Sequence, residues 1–261
     1  MPSAIGIEGL TKVFTGRDGT EVRALEHIDL ELMPSSFTCI VGPTGCGKTT
    51  LLRIVAGLER PTSGQVEIGG KPVEGARRDT TMVFQQYSLF PWRSVLDNVG
   101  FGLEVRGMHR AARRARALEL LDMVGLPGFA ASRPYELSGG MQQRVAIARA
   151  LAPDPEVLLM DEPFGALDER TRHRLQDELL ALWQKTRKTV LFVTHSIDEA
   201  VYLGERVVVL ADRPSRIAAD FVPKIARPRS RVSPEFVKAL LHVRAVLESV
   251  MEDSAGNKDA V

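Results

Sequence analysis

The sequence predicts an α/β fold: a mostly parallel sheet covered by helices, with an antiparallel β portion at its N-terminal end and an inserted helical block. Three features point there. Short apolar runs alternate with longer helical patterns, as strands buried on both faces do. Residues 1–35 alternate loosely between apolar and polar, as a half-exposed sheet does. From about 87 to 152 the pattern is helical, interrupted at Gly107, at Gly125-Leu126-Pro127-Gly128 and at Pro134.

In chain order, Ile5, Ile7, Val13, Val22, Leu25, Ile28, Leu30 and Leu32 mark the antiparallel portion, and the stretch Gly64 to Gly70 has the same character. Phe37 to Val41 is the first buried strand, followed by a helix over Lys48 to Leu58. Thr81 to Phe84, Val157 to Met160 and Val190 to Thr194 are three more such strands, with Arg206 to Leu210 a fifth. Helices are expected over Arg110 to Val124, Gly140 to Leu151 and Arg170 to Thr186. Ser196 and Glu199 form a capping box that opens another helix. Ser233-Pro234-Glu235 opens the last one, which carries Phe236, Leu240, Val243, Leu247 and Val250 at helical spacing, and residues from about Asp253 read as frayed.

Composition narrows the function. The chain has 261 residues, 44% hydrophobic and 26% charged, with a net charge of +1. A globular protein of one or two domains is expected, with no global field for nucleic acid. Cys39 and Cys46 have neither disulfide nor metal-ligand spacing, which fits a reducing, cytosolic setting. The start of the chain lacks the features of a signal peptide. The longest apolar runs are strand-sized, far short of the ~20 residues a membrane helix needs, so any membrane role is expected to come through a partner.

Gly42-Pro43-Thr44-Gly45-Cys46-Gly47-Lys48-Thr49 fits a phosphate-binding P-loop, and its context agrees: an apolar strand precedes it and a helix starts at Lys48. Its glycines let successive N–H groups point inward at the positive end of a helix. Lys48 can bridge the β- and γ-phosphates of a nucleotide, and the Thr49 hydroxyl can hold Mg²⁺. Cys46, near a helix N-terminus, is expected to favour the thiolate and to block nucleotide binding when alkylated. Val157 to Glu162 is an apolar strand ending in two carboxylates, a feature common on surfaces but pointed when paired with a P-loop. Asp161 suits a metal shell, and Glu162 can polarise a water for in-line attack.

Leu137-Ser138-Gly139-Gly140-Met141-Gln142, placed between these two motifs, resembles the signature sequence of ABC ATPases. The remaining motifs of that family follow in order. Phe14 sits where an aromatic stacks on adenine, Gln85 matches the Q-loop glutamine, Ala166-Leu167-Asp168 the D-loop, and His195 the H-loop histidine. The resemblance covers about Ile5 to Asp212. It implies a RecA-like P-loop NTPase core, with ATP and Mg²⁺ as cofactors. Gly42, Pro43, Thr44, Gly45, Cys46, Gly47, Lys48, Thr49, Thr50, Phe14, Ser138, Gly139, Gly140 and Asp168 would bind nucleotide. Thr49, Gln85 and Asp161 would hold the metal, and Glu162, His195, Gln85 and Lys48 would carry catalysis. It further implies two nucleotides sandwiched between two subunits, the P-loop of one protomer facing the Ser138 signature of the other; one complete motif set per chain makes a homodimer the simple expectation, with a heterodimer the alternative.

Ser88-Leu89-Phe90-Pro91-Trp92 and Glu162-Pro163-Phe164-Gly165-Ala166-Leu167-Asp168 are of importer type and look like the nitrate/sulfonate/taurine group. The partners so implied are integral membrane permease subunits, a separate periplasmic or lipid-anchored solute-binding protein, and no nucleic acid. The location implied is the cytoplasmic face of the inner membrane. Residues 1–221 are expected to form the ATPase domain, with a helical subdomain at about 87–152, and 222–261 a short C-terminal helical extension. Trp92 and residues 87–99 are expected to receive a permease helix unless Leu89, Phe90 and Trp92 merely pack the insertion. Arg110, Arg113, Arg114 and Arg116 read as a solvated helix face, and Arg227, Arg229 and Arg231 as a possible contact for lipid headgroups. The alternatives are a soluble non-transport ABC ATPase and a P-loop kinase; the latter would lack the Ser138 signature.

Overall fold

The computed structural model describes residues 2–165 and 167–256, with side chains as far as Val250. Ala166 of the expected D-loop and the extreme C-terminal tail lie outside the described residues. In chain order the elements are β1 (Ile5–Thr15), β2 (Glu21–Leu32), β3 (Phe37–Val41), α1 (Lys48–Val55), β4 (Ser63–Ile68), β5 (Lys71–Pro72) and β6 (Thr80–Val83). There follow α2 (Val95–Val105), α3 (Arg110–Met123), two short 3₁₀ turns, α4 (Gly139–Leu151), β7 (Val157–Asp161) and α5 (Glu169–Thr186). The chain closes with β8 (Thr189–Thr194), α6 (Ile197–Leu203), β9 (Arg206–Leu210), β10 (Ile217–Phe221) and α7 (Pro234–Gly256). These fall into two compact units, one formed by residues up to Arg77 and from Thr189 onward, the other by Arg78–Lys188.

The first unit holds two sheets. An antiparallel sheet in the order β2-β1-β4-β5 sets Ile7 opposite both Leu30 and Val66. The loose alternation read in the sequence is its one-sided burial: Ile5, Ile7, Leu10, Ile28, Leu30, Val66 and Ile68 point inward. Four strands in the order β10-β9-β3-β8 form the other sheet of this unit, with β3 parallel to β8 and to β9. Every residue of β3 and β8 is buried, so the runs are almost wholly apolar, broken only by Thr38, Thr189 and Thr194. β10 runs antiparallel to β9 and is half-exposed.

The second unit pairs β6 with β7 in parallel, from Thr80 opposite Val157 to Val83 opposite Met160. Helices α2 to α5 complete it. Ser94 caps α2 by accepting from the Asp97 N–H at 3.0 Å. The fully buried Asn98 accepts from the Phe90 N–H at 2.8 Å and donates to the Phe90, Arg93 and Ser94 carbonyls. That network holds residues 90–94 as irregular chain, so the helical pattern expected from about 87 begins only at Val95.

Most boundaries agree with expectation to within a residue. Besides that late start at Val95, the exception is α1, which stops at Val55 rather than Leu58. Gly57 takes φ +70°, its N–H donates to the Ile54 carbonyl, and the Leu58 N–H reaches back to the Arg53 carbonyl. This left-handed cap satisfies the last helical carbonyls three residues early. The basic run behaves as a solvated face: Arg110 and Arg114 are exposed, Arg116 pairs with Glu119 at 3.0 Å and Arg113 with Glu104 at 3.6 Å. Among the described residues no helix is long and apolar enough to cross a membrane.

Candidate active site

The phosphate loop is a turn between a buried strand and an uncapped helix. β3 delivers the chain to Gly42, and α1 starts after Gly47, which has φ +111° and provides no side-chain cap. A Cβ at Gly47 would lie 2.9 Å from the Ala24 carbonyl oxygen, so only glycine fits. No acidic residue occupies the first turn of α1. The positive dipole end of α1 is therefore not met by a carboxylate or a capping side chain and suits an anion. Lys48 is 4% exposed, and its ammonium donates to the Gly42 and Pro43 carbonyls at 2.8 Å each. The cation is thus held across the mouth of the loop, where a phosphate can replace those carbonyls. This cradle fits a nucleotide's phosphates.

The turn between β9 and β10 forms one wall. A Cβ at Gly42 would meet the Leu210 carbonyl oxygen at 2.8 Å, and an arginine nitrogen of Arg213 lies 3.2 Å from the Cβ position of Gly45. Cys46 departs from expectation. It is fully enclosed, and burial pushes its thiol above the ordinary value, with Lys48 and Ser215 offsetting this only in part. The helix N-terminus does not win there, so Cys46 is a packed neutral thiol rather than a reactive thiolate.

Elsewhere in the first unit, β8 carries the buried Thr194 to its end and leaves His195 exposed on the next residue. Thr194 Oγ1 donates to the buried Glu199 carboxylate at 2.5 Å and accepts from the Ser196 N–H, while Ser196 Oγ accepts from the Glu199 N–H. The expected capping box is therefore relayed through Thr194. Phe14 on β1 is 39% exposed, with the Lys12 ammonium 4.7 Å above its ring, and remains open to a stacking partner.

In the second unit, β7 ends at Asp161, which is 5% exposed. The next residue, Glu162, takes φ +43°, an uncommon conformation for glutamate that turns the chain sharply at the strand end. The oxygen donors expected for a metal (the Thr49 hydroxyl, the Gln85 amide and the Asp161 carboxylate) are a hard set that suits Mg²⁺. Gln85 and Gln86 are both exposed just past β6. Ser138 is the exposed N-cap of α4, accepting from the Met141 N–H at 3.4 Å, and Gln142 buttresses the turn by donating to the Pro134 and Leu137 carbonyls. Gly139 is exposed beside it. Asp168 caps α5 through the Thr171 N–H at 3.0 Å; that hydrogen bond holds its carboxyl below the ordinary value.

Two features were missed by sequence reasoning. Arg149 on α4 donates to the Ser88 and Tyr87 carbonyls at 2.6 and 2.8 Å, tying the signature helix to the loop that follows Gln85. Arg227, Arg229 and Arg231, expected to offer a contact for lipid headgroups, are instead engaged within the protein. Arg229 is 8% exposed and donates to backbone carbonyls at the end of α6, Arg227 does the same, and Arg231 pairs with Asp198 at 3.2 Å. No periodic signal in the sequence marks an arginine that serves carbonyls distant along the chain.

Residues 25–165 match the ABC transporter family. The chain belongs to that family. Similarity extends over nearly whole proteins: it is 48% identical to a taurine import ATP-binding protein of Rhizobium johnstonii, covering 90% of this chain and 93% of that one. It is 46% identical to a nitrate import ATP-binding protein of Synechocystis, covering 89% and 90%. Among solved structures, a dimeric ATP-binding cassette in a post-hydrolysis state with ADP and Pi superimposes with a TM-score of 0.75 at 35% identity, covering 84% of this chain and 98% of that one. This ABC protein has the P-loop NTPase fold, uses ATP and Mg²⁺, and is the ATP-hydrolysing subunit of a transporter.

Proposed function

We propose that this ABC ATPase powers import of a small anion of the nitrate, sulfonate or taurine class. It works as a homodimer docked on integral membrane permease subunits at the cytoplasmic face of the inner membrane. A separate periplasmic or lipid-anchored protein reads the solute. The observation that carries this reading is near-full-length similarity to both a taurine and a nitrate import subunit. The dimeric state of the similar solved cassette supports the homodimer. Trp92, 70% exposed, supports docking near residues 87–99, whereas Phe90 is spoken for, packing on Phe101 at 4.7 Å. In this reading residues 1–221 are the ATPase domain, with the helical subdomain at about 87–152, and 222–261 the extension.

In the proposed site, the loop from Gly42 to Thr50 holds the phosphates and Phe14 stacks on the base. Bound Mg²⁺, held by Thr49, Gln85 and Asp161, would offset charge on the β- and γ-phosphate oxygens. Glu162 accepts a proton from the attacking water as its oxygen bonds to the γ-phosphorus and the bond to ADP breaks. Lys48 and His195 stabilise the transferred phosphoryl group. Ser138 of the partner subunit, with its glycines, closes over the nucleotide. Loss of the γ-phosphate removes contacts across the dimer, so the two states bind each other differently.

The test is purification of the tagged chain from detergent-solubilised native membranes. Recovery of a multi-span membrane protein, followed by ATP-dependent uptake of taurine or nitrate in proteoliposomes, is the expected outcome. Recovery of only soluble or nucleic-acid partners would replace transport with a soluble ATPase role.

A further inference from the structure

The helix that follows His195 closes its far end with one backbone bond, from the Gly204 N–H to the Ala200 carbonyl at 2.9 Å. α6 is seven residues long and ends at Gly204 in an extended conformation, φ −73° and ψ 135°, rather than in a left-handed cap. A Cβ at Gly204 would meet the Ala200 and Arg206 carbonyl oxygens at 2.8 and 2.9 Å, so the chain turns tightly against β9 there. The last carbonyls of any helix need outside donors, and a helix this short is marginal without them.

Those donors come from the C-terminal segment. Arg229 Nη1 donates to the Val201 and Gly204 carbonyls at 2.5 and 2.6 Å and to Tyr202 at 3.3 Å, while its Nε reaches Ile225. Arg227 donates to the Leu203 carbonyl at 2.5 Å. Arg231 grips the other end, pairing with Asp198 in the first turn of α6 and lying 3.4 Å from the Tyr202 ring centroid. Tyr202 also meets Phe236 of α7 at 6.4 Å. The guanidinium of Arg229 gives up solvent to do this, and burial lowers its pKa to about 10. Placing a cation on the negative end of α6 is favourable in itself.

We propose that this arginine strap positions His195: Arg229 and Arg231 are positioning residues that hold α6, and with it the strand–helix junction bearing the imidazole, in the register needed for hydrolysis. The inference rests on His195 acting at the γ-phosphate. It gives the segment after β10 a role in the reaction, made through another residue rather than by touching nucleotide.

The experiment measures steady-state ATP hydrolysis and MgATP affinity of the full chain, per folded molecule, for Arg229→Ala, Arg229→Lys, Arg231→Gln, His195→Ala and the double variant Arg229→Ala/His195→Ala. The expected result is a fall in kcat of about tenfold in Arg229→Ala with MgATP affinity changed less than about twofold. Arg229→Lys recovers part of the loss. The double variant is no slower than His195→Ala alone, because both changes remove the same contribution. If Arg229→Ala fails to fold, Arg231→Gln carries the same comparison in a partly exposed ion pair. Normal kcat in the folded strap variants, or losses that multiply fully with His195→Ala, overturn the strap. Near-normal turnover in His195→Ala removes the role of His195 itself, and the inference with it.

Discussion

Glu162 is the residue at which geometry and chemistry meet most closely. Its φ of +43° is sparsely populated for a branched-free side chain and costs of order 1–3 kcal/mol unless the surroundings impose it. Glu162→Gln keeps the shape and removes the carboxylate proposed as the base. It should bind MgATP with wild-type affinity while turnover falls by about 10²–10⁴, as loss of a general base does; phosphate release beside a nucleotide titration reads both. Wild-type turnover would exclude the base role. The two thiols make a second prediction. Burial raises both Cys39 and Cys46, so the native state holds these protons more tightly than the unfolded chain. Their contribution to stability is fully present below the ordinary thiol value of 9.0 and is lost as pH rises above it. Urea unfolding between pH 8 and pH 10.5 should show an alkaline decline that shrinks in a Cys39→Ala/Cys46→Ala variant, and iodoacetamide should label both thiols only slowly in the native chain.

At the level of elements, α4 carries more than the signature at its tip. Arg149 bonds two carbonyls of the loop after Gln85 with a charged donor. Arg149→Met should cost about 1.5–3 kcal/mol in urea denaturation, the range for such bonds, and should slow hydrolysis more than it weakens nucleotide binding. On the same helix, Gln143 is fully buried, with neither amide atom finding a partner among the described residues. Gln143→Met should therefore be neutral or stabilising by about 1 kcal/mol in thermal unfolding; a clear loss would reveal a bridging water. The legibility of these elements divides along physical lines. β3, β7 and β8 were readable because strands buried on both faces are predominantly apolar, whatever polar residue they carry. The half-exposed β10 has no such run and was missed. The end of α1 was missed because Gly57 terminates it while the apolar pattern continues to Leu58. The phosphate loop and the signature were readable since backbone geometry restricts them to particular residue types, whereas Arg149 and Arg229 serve backbone carbonyls that any sequence would supply.

For the molecule as a whole, nucleotide is both substrate and structural ligand. At about 100 times its Kd, MgATP should add about 2.7 kcal/mol to the stability of the chain. The Glu162→Gln variant should sediment as a dimer with MgATP and as a monomer with ADP; a monomer under both conditions would remove the sandwich mechanism. The connectivity of the fold bears on a different matter, the order in which it is made. β3 lies between β8 and β9, and Phe37 pairs with Val190. During synthesis, β3 therefore emerges with neither neighbour yet translated, and all of Arg78–Lys188 must follow before the first of them appears. Five consecutive buried residues, all apolar but Thr38, then have unpaired edges on a nascent chain, the kind of segment that aggregates or recruits chaperones. The continuous inserted unit can complete its own contacts in the meantime. Yield of this subunit in a foreign host should depend on translation speed and chaperone supply before it depends on the stability of the finished protein.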